Sequence, residues 1–235
     1  MGHPPIHALI PAAGRSVRFG GTTLKQYAHL MGQPVIHHSI EAVSRHPSVI
    51  SVTVVLASDD GIFEELLRPH WPNARTVAGG ESRSASVLSG LELILEEASA
   101  DDWVLVHDAA RPCLSRSALE RLIGQGLASP SGAILAWPVS DTLKWADENG
   151  CIEKTVDRSR CWAAQTPQLF PLGQLADLLR AALEAGEEPT DEAAAMERSG
   201  IHPLLVTGAA SNIKITGCED LILAEFILQR QSVVD

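Results

Sequence analysis

Runs of apolar residues alternate along the chain with segments whose apolar residues recur at helical spacing. Several runs are apolar throughout, which is typical of strands buried on both faces of a parallel sheet. In the segment 83–98, Val87, Leu91 and Leu95 fall on one face of a helix. The predicted strands cover 6–10, 50–57, 103–107, 132–137 and 203–207, and the predicted helices cover 35–45, 83–98, 115–127, 171–185 and 218–230.

This alternation predicts an α/β fold with a doubly wound, mostly parallel sheet. One stretch departs from it: the runs 137–146 and 151–158 both look extended, and they flank Asn149-Gly150, a strong turn signal between strands. An isolated hairpin is marginally stable in water, so we expect this one to pack on another surface, such as a second subunit. The chain is therefore predicted to be one domain over 1–235, with an arm at about 137–162.

The segment that follows the first predicted strand is small and basic. Pro11-Ala12-Ala13-Gly14 is followed by the cations Arg15, Arg18 and Lys25. Small residues let backbone N–H groups approach a phosphate, and cations neutralise its charge. Because ligands of α/β sheets bind at the carboxyl ends of strands, the segment predicts a nucleotide phosphate site. A basic surface turn is the alternative.

Two common phosphate-binding templates do not fit this segment. The dinucleotide fingerprint needs two further glycines where Ser16 and Phe19 stand after Gly14. The P-loop needs a lysine directly after its second glycine, but Gly21 follows Gly20. The sequence thus argues against a nicotinamide-dependent oxidoreductase, which is the alternative enzyme class.

The composition limits the classes of binding partner and the cellular compartment that we expect for this protein. The formal net charge of −11 over 235 residues argues against a general nucleic-acid binder. No apolar run approaches the ~20 residues of a membrane span, and no secretory signal is visible. The four cysteines form no C-x-x-C pair, as expected of reduced thiols in a cytoplasmic protein. We therefore expect neither nucleic acid nor membrane as a partner.

Six further blocks follow along the chain: 79–87 (GGESRSASV), 106–112 (VHDAARP), 155–158 (TVDR), 165–168 (QTPQ), 190–193 (TDEA) and 212–214 (NIK). Together with the basic segment and Lys25-Gln26-Tyr27, these blocks resemble the 2-C-methyl-D-erythritol 4-phosphate cytidylyltransferase family over about 6–230. Two positions depart from the family pattern: Ser16 stands where glycine is usual, and Leu24 stands where proline is usual.

The resemblance implies a Rossmann-like nucleotidyltransferase fold and a reaction in which CTP and methylerythritol phosphate give CDP-methylerythritol and pyrophosphate. It also implies magnesium as the divalent cation and a homodimer formed through the hairpin arm. The nucleophile would be a phosphate monoester, which is mostly dianionic at neutral pH and needs no general base. Such reactions are catalysed mainly by positioning and electrostatics.

The resemblance also assigns residues. Asp108 directly follows the predicted strand 103–107, where a carboxylate suits Mg²⁺, so it is the candidate metal ligand. The resemblance implies that Asp108 also meets the polyol substrate, and that Arg158 and its neighbours in the arm reach the partner's active site. His37 and His38 are not expected to bind metal. The full implied set is Arg18, Lys25 and Lys214 as catalytic cations, Pro11, Ala12, Ala13, Gly14, Gly80, Glu81, Arg83, Ser86 and Ala109 for the nucleotide, and Asp108, Asp141, Thr142, Arg158 and Thr166 for the polyol phosphate.

Some alternatives remain open at this point. A cytidylyltransferase for another polyol phosphate, such as ribitol 5-phosphate, would share most of these motifs. Gly79-Gly80 before Ser82 can be an ordinary glycine turn with a helix cap rather than a cytosine site. The segment 190–192 also fits a helix cap. A non-catalytic nucleotide-binding protein is less consistent with the sequence, because binding alone would not require Arg18, Lys25, Asp108 and Lys214 together.

Overall fold

The computed structural model describes residues 3–14 and 24–234, and a seven-stranded sheet forms the centre of this part of the chain. The strands are β1 (Ile6–Pro11), β2 (His29–Leu30), β3 (Gln33–Pro34), β4 (Val49–Leu56), β5 (Arg75–Ala78), β6 (Trp103–Val106), β7 (Ala133–Pro138), β8 (Leu143–Ala146), β9 (Ile152–Val156), β10 (Trp162–Pro171) and β11 (Leu204–Thr207). The helices are α1 (Val35–Ser44), α2 (Ile62–Leu66), α3 (Arg83–Leu95), α4 (Arg116–Gly126), α5 (Leu172–Glu184), α6 (Glu192–Arg198) and α7 (Cys218–Val234), with a 3-10 turn at Lys25–Tyr27.

The strand order of the central sheet is β11-β7-β10-β6-β1-β4-β5. Strand β10 runs antiparallel to both of its neighbours, β6 and β7, and the other neighbouring pairs are parallel. The predicted fold class, a mostly parallel α/β sheet, is confirmed. None of the helices in the described ranges is long and apolar enough to cross a membrane.

Side chains of the central strands pack on both faces of the sheet. In β1, Ile6, Ala8 and Ile10 belong to one apolar cluster, while Leu9 points to the other. Because successive side chains of a strand alternate between faces, an almost wholly apolar strand fills two cores at once. Helices α1 and α4 cover the first face, and α3 and α5 cover the second. This sandwich fixes the carboxyl ends of the strands on which the site is built.

Strand β10 was not among the predicted strands, because its polar motif and Pro167 interrupt the apolar pattern. The structure resolves the conflict with an irregularity in the pairing. Ala164 pairs with Ala136 of β7 and Gln168 pairs with Ile134, so two more residues lie on β10 than on β7 between these points. Proline, which has no N–H to donate, is tolerated at such an irregularity. The short elements β5 and α2 were also not predicted.

The hairpin predicted around Asn149-Gly150 is present as the antiparallel pair β8 and β9. Its turn is longer than the two-residue turn that Asn-Gly suggests. One Asp147 carboxylate oxygen accepts the N–H groups of Asn149 and Cys151, at 3.0 and 2.8 Å, and Gly150 takes a positive φ of 79°. Side-chain acceptance of nearby backbone N–H groups is the usual role of aspartate in turns. Most hairpin side chains are exposed.

Candidate active site

A cleft of about 510 Å³ opens where β1, β4 and β6 end. Each of these parallel strands delivers its following loop to the same edge of the sheet, which is where ligands of α/β folds bind. The cleft therefore gathers residues that are distant in sequence. Its lining comprises 11–14 after β1, Lys25 and Gln26, 57–59 after β4, 79–83 and Ser86 at the start of α3, 108–110 after β6, and Lys214.

The described part of the phosphate segment is held by Gln26. Its side-chain amide donates to the carbonyl oxygens of Ala12 and Gly14, at 2.9 and 3.3 Å, and the residue is almost fully buried. The Ala12 N–H donates to Val55 of β4 at 2.8 Å. These bonds fix the backbone that was predicted to cradle phosphate. Arg18, and with it Arg15 and Ser16, lies outside the described residues.

The segment before α3 meets the phosphate segment directly. A Cβ at Gly79 would lie 2.6 Å from the Cβ of Ala13, so only glycine fits this close approach. Ser82 caps α3, since its hydroxyl accepts the Ala85 N–H at 3.1 Å. The hydroxyl of Ser86 donates to the Ser82 carbonyl at 2.8 Å. The helix cap is thus observed, and cytosine recognition by this segment stays a prediction.

Asp108 is the centre of the charged groups in the cleft. It follows β6, is 7% exposed, and its Oδ2 lies 2.8 Å from Lys214 Nζ and 3.5 Å from Arg111 Nε. Its Oδ1 accepts from Arg83 at 3.2 Å. Burial alone would raise the pKa of Asp108, but the charges of Arg83, Lys214 and Arg111 lower it well below its usual value. Asp108 is therefore a carboxylate at neutral pH.

His107 is fully buried and contacts the Thr166 hydroxyl that holds the Asp108 backbone. Its Nε2 lies 3.0 Å from the Arg111 carbonyl, and its Nδ1 lies 3.0 Å from the Thr166 hydroxyl. Since a carbonyl can only accept, the proton is assigned to Nε2, and Thr166 donates to Nδ1. That hydroxyl also accepts the Asp108 N–H at 3.0 Å. Burial lowers the pKa of His107 to about 4, so the ring is neutral at pH 7.

Buried amides position the loop that carries Lys214. Asn212 is fully buried, and its side-chain amide donates to the Thr166 carbonyl at 2.8 Å, while its backbone carbonyl accepts from Arg111 at 2.7 Å. Gln165 donates to the Ala209 carbonyl at 2.8 Å. Lys214 is thereby tied to the irregular part of β10 and to the loop after β6. Its ammonium group faces the cleft as a result.

The structure does not bring every predicted site residue to this cleft within one chain. Asp141, Thr142 and Arg158 are exposed on the hairpin side and are not part of the cleft lining. Thr166 is buried and its hydroxyl has two protein partners, His107 and the Asp108 N–H. The roles assigned to these residues stay predictions. Ala109, Lys25 and the predicted residues of 79–86 do lie in or beside the cleft.

The site also contains residues that sequence reasoning missed. Gln26 was quoted only as part of the Lys25-Gln26-Tyr27 block, and Asn212 only as part of the Asn212-Ile213-Lys214 block. Glu192 was interpreted as part of a helix cap, although Asp191 is the cap and accepts the Ala194 N–H at 2.8 Å. The available signal was the presence of these polar residues inside the family blocks. Their burial and partners could not be deduced from spacing.

Metal binding by protein side chains alone is not indicated. No group of three or more His, Cys, Asp or Glu residues suited to a metal occurs in the ranges 3–14 and 24–234. Asp108, the predicted ligand, has cations on both of its oxygens. Magnesium commonly takes one or two carboxylates and several phosphate oxygens. The donor set of this cleft therefore fits a divalent cation that is ligated mainly by a nucleotide's phosphates.

A mostly parallel sheet whose strand ends present a small-residue phosphate segment, two lysines and a buried aspartate defines a nucleotide-binding α/β protein of the nucleotidyltransferase class. The family model IspD, described as 2-C-methyl-D-erythritol 4-phosphate cytidylyltransferase, matches residues 6–230. The chain belongs to this family. The family and the enzyme class predicted from the sequence are confirmed.

Relatives with this description match over almost the whole chain. A protein of Tolumonas auensis named 2-C-methyl-D-erythritol 4-phosphate cytidylyltransferase is 46% identical over 226 residues, which cover 96% of this chain and 97% of that protein. A protein of the same name from Xylella fastidiosa strain 9a5c is 49% identical, with 96% and 98% covered. Both matches include the cleft and the hairpin.

Solved structures agree with the fold. A crystal structure of 4-diphosphocytidyl-2C-methyl-D-erythritol synthase matches with a TM-score of 0.84 and 40% identity, covering 96% of this chain and 99% of that one. The Francisella tularensis 2-C-methyl-D-erythritol 4-phosphate cytidylyltransferase matches with a TM-score of 0.80 and 35% identity, covering 95% and 99%. The fold described above is therefore shared with this family.

Proposed function

We propose that this chain transfers a cytidylyl group from CTP to 2-C-methyl-D-erythritol 4-phosphate, giving CDP-methylerythritol and pyrophosphate. The reaction belongs to the non-mevalonate route to isoprenoid precursors. The observation that carries the proposal is the meeting of Lys25, Lys214 and Asp108 in one cleft with the phosphate segment 11–14. The family match over 6–230 supports the same activity.

The reaction requires stabilisation of negative charge rather than abstraction of a proton. An oxygen of the acceptor phosphate attacks the α-phosphorus of CTP, a new P–O bond forms, and the bond to pyrophosphate breaks with its electron pair. The acceptor is already dianionic at neutral pH, so no base is needed. Two anions must be brought together, which cations in a partly buried cleft accomplish. Lys25, Lys214 and Arg18 take this role.

The nucleotide is proposed to lie across the two loops that meet at Gly79. The backbone of 11–14 faces its phosphates, and Gly80, Glu81 and Ser86 face the cytosine. Gln26 keeps the first loop in place through its bonds to Ala12 and Gly14. Donors and acceptors fixed in this way discriminate between bases better than an apolar pocket does.

The acceptor is proposed to lie between Asp108 and an arm from a second copy of the chain. Asp108 accepts from hydroxyl groups of the polyol, while Arg158 and Thr142 of the second copy hold its phosphate. Arginine suits this role because its planar fork binds phosphate in bidentate fashion. In support, the hairpin exposes Trp145 and Ile152, at 58% and 65%, as expected of an unpaired interface.

A divalent cation, proposed to be Mg²⁺, completes the site. When bound, it neutralises charge on the triphosphate and polarises the attacked phosphorus. Residues 11–14 and Lys25 then hold the phosphates that carry it. The proposed compartment is the cytoplasm, which is supported by the absence of a disulfide at Cys113, Cys151 and Cys161 in the described part of the chain.

Pyrophosphate release with CTP and Mg²⁺ tests this function. Methylerythritol 4-phosphate is compared with ribitol 5-phosphate as acceptor, and CTP with UTP and ATP as donor. A strong preference for CTP with methylerythritol phosphate is expected. Preference for ribitol phosphate would contradict the substrate assignment but keep the mechanism. No release with any pair would contradict the proposal as a whole.

A further inference from the structure

Glu192 is a buried carboxylate close to the cleft that the proposed mechanism does not use. It is 1% exposed, and in the described ranges only Asp108 is a similarly buried acidic residue. It begins α6, whose start is fixed by Gln168. The side chain of Gln168 donates to Asp191 at 2.9 Å and accepts the Ala193 N–H at 2.9 Å. The position of Glu192 is thus set by its surroundings.

Both oxygens of Glu192 bind one guanidinium group. Arg83 Nη1 lies 2.7 Å from Oε1, and Arg83 Nη2 lies 3.3 Å from Oε2. This bidentate geometry orients the guanidinium plane as well as neutralising its charge. Arg83 Nη2 also donates to Asp108 Oδ1 at 3.2 Å. Burial raises the pKa of Glu192, and the Arg83 cation opposes this rise. With Glu192 ionised, the four charges alternate in sign from the interior to the cleft, in the order Glu192, Arg83, Asp108, Lys214.

The location of Arg83 is unfavourable without Glu192. Arg83 is the first residue of α3, and a cation at a helix N-terminus is opposed by the helix dipole. Burial likewise opposes its charge, whereas Glu192 and Asp108 together raise the pKa of Arg83. Glu192 therefore shares with Asp108 the task of compensating this cation. Without it, the guanidinium would have Asp108 as its remaining carboxylate partner.

We infer that Glu192 is a positioning residue of the active site, which holds Arg83 so that only Oδ1 of Asp108 is engaged and Oδ2 stays directed at Lys214. The inference rests on the proposed function. Loss of the Glu192 charge lets Arg83 turn further towards Asp108 and compete with Lys214 for it. The acceptor end of the cleft is then disturbed, while the nucleotide loops keep their own hydrogen bonds.

Steady-state kinetics of E192Q, R83Q and the double variant test this role. For E192Q we expect kcat to fall about tenfold, with the KM for CTP within about threefold of wild type. Because Glu192 acts through Arg83, R83Q and R83Q/E192Q should have equal kcat. E92Q is the matched control: it removes one negative charge from an exposed pair with Arg180, at 3.3 Å, and should retain wild-type kcat.

Wild-type kcat in folded E192Q would overturn the inference, and so would losses that multiply in the double variant. R83Q leaves the buried Glu192 without its cation and is the variant at greater risk of failing to fold, whereas Arg83 keeps Asp108 as a partner in E192Q. If R83Q fails to fold, E192Q therefore decides the matter: a loss of kcat of about tenfold with an unchanged KM for CTP supports the inference, and wild-type kcat overturns it. An inactive wild-type enzyme would instead contradict the proposed function itself.

Discussion

The Asp108 cluster and the β8–β9 hairpin both carry residues predicted to bind the acceptor, but they differ in how they are held. Asp108 is 7% exposed, and its cationic partners and the backbone around it are fixed by hydrogen bonds. Thr142 and Arg158 are exposed, and the two-stranded sheet beside them is outside the central sheet. One region is organised within the chain, and the other presents its side chains to solvent.

This difference suggests a division of labour. Residues that must stabilise charge at a reacting phosphorus gain from burial and fixed geometry, because electrostatic effects are stronger in a low dielectric. Residues that only bind a phosphate can be contributed by another subunit. We therefore regard the cleft as prepared for the nucleotide, and we propose that the hairpin of a second copy completes the acceptor site.

Among the variants considered, loss of Lys214 from the Asp108 cluster should have the largest effect on activity. Lys214→Ala should lower kcat/KM by about 100-fold or more, since removal of one preorganised charge-stabilising group typically costs this much. The unfolding free energy should change little, because the Lys214 side chain is 40% exposed and Asp108 keeps Arg83 and Arg111. Steady-state kinetics and urea unfolding measure the two effects.

Arg180→Ala is the control for Lys214→Ala, because it removes an exposed cation on α5 and should leave turnover unchanged. Wild-type kcat/KM in Lys214→Ala would show that the Asp108 cluster does not act on the reaction.

The buried His107 beside Asp108 should make the stability of the protein depend on pH. The folded-state pKa of His107 is lowered to about 4 from 6.5, so the unfolded chain binds a proton between these values while the folded chain does not. Stability is therefore complete above pH 6.5 and falls as the pH decreases towards 4. We expect a loss of about 2 kcal/mol between pH 7 and pH 5 from this residue.

Urea unfolding of wild type and His107→Asn at the two pH values measures this loss. The variant should be less stable at pH 7 but should lose less on acidification. His202→Asn, at an exposed position, should keep the wild-type difference. An identical pH dependence in His107→Asn and wild type would contradict the assignment of a neutral buried imidazole.

The smallest of these effects is expected on the hairpin side. Arg158→Ala should raise the KM for methylerythritol phosphate about tenfold, which is the range for one charge-assisted phosphate contact. CTP binding, measured by calorimetry, should stay nearly unchanged. Arg160→Ala, two residues along the same exposed segment, is the control. Equal weakening of both ligands would place Arg158 in the nucleotide site instead.

Much of the fold could be predicted from the sequence, because β1, β4, β6 and β7 bury both faces and therefore appear as continuous apolar runs. The capped helices α3 and α4 were similarly visible. Strand β10 could not be predicted, since polar residues and Pro167 stand at its irregularity, where Thr166 accepts the Asp108 N–H. The polar residues that interrupt the apolar pattern of this strand are the ones that hold the loops of the active site.

The site was predictable in its residue types and less so in its contacts. The motif blocks identified Lys25, Asp108 and Lys214 as neighbours. They could not show that Glu192 reaches Asp108 through Arg83, because this pairing spans 109 residues and depends on how α6 packs. Local sequence carries capping and periodicity, whereas a long-range ion pair is set by tertiary packing alone.

A mixing experiment tests most directly whether the cleft of one chain and the hairpin of another form one active site. Lys214→Ala and Arg158→Ala chains are coexpressed, and activity is measured well below the KM for methylerythritol phosphate. If the hairpin acts across a two-fold dimer, each mixed dimer regains one intact site, and the mixture should recover about a quarter of wild-type activity. Activity no higher than the average of the two separate variants would contradict the account.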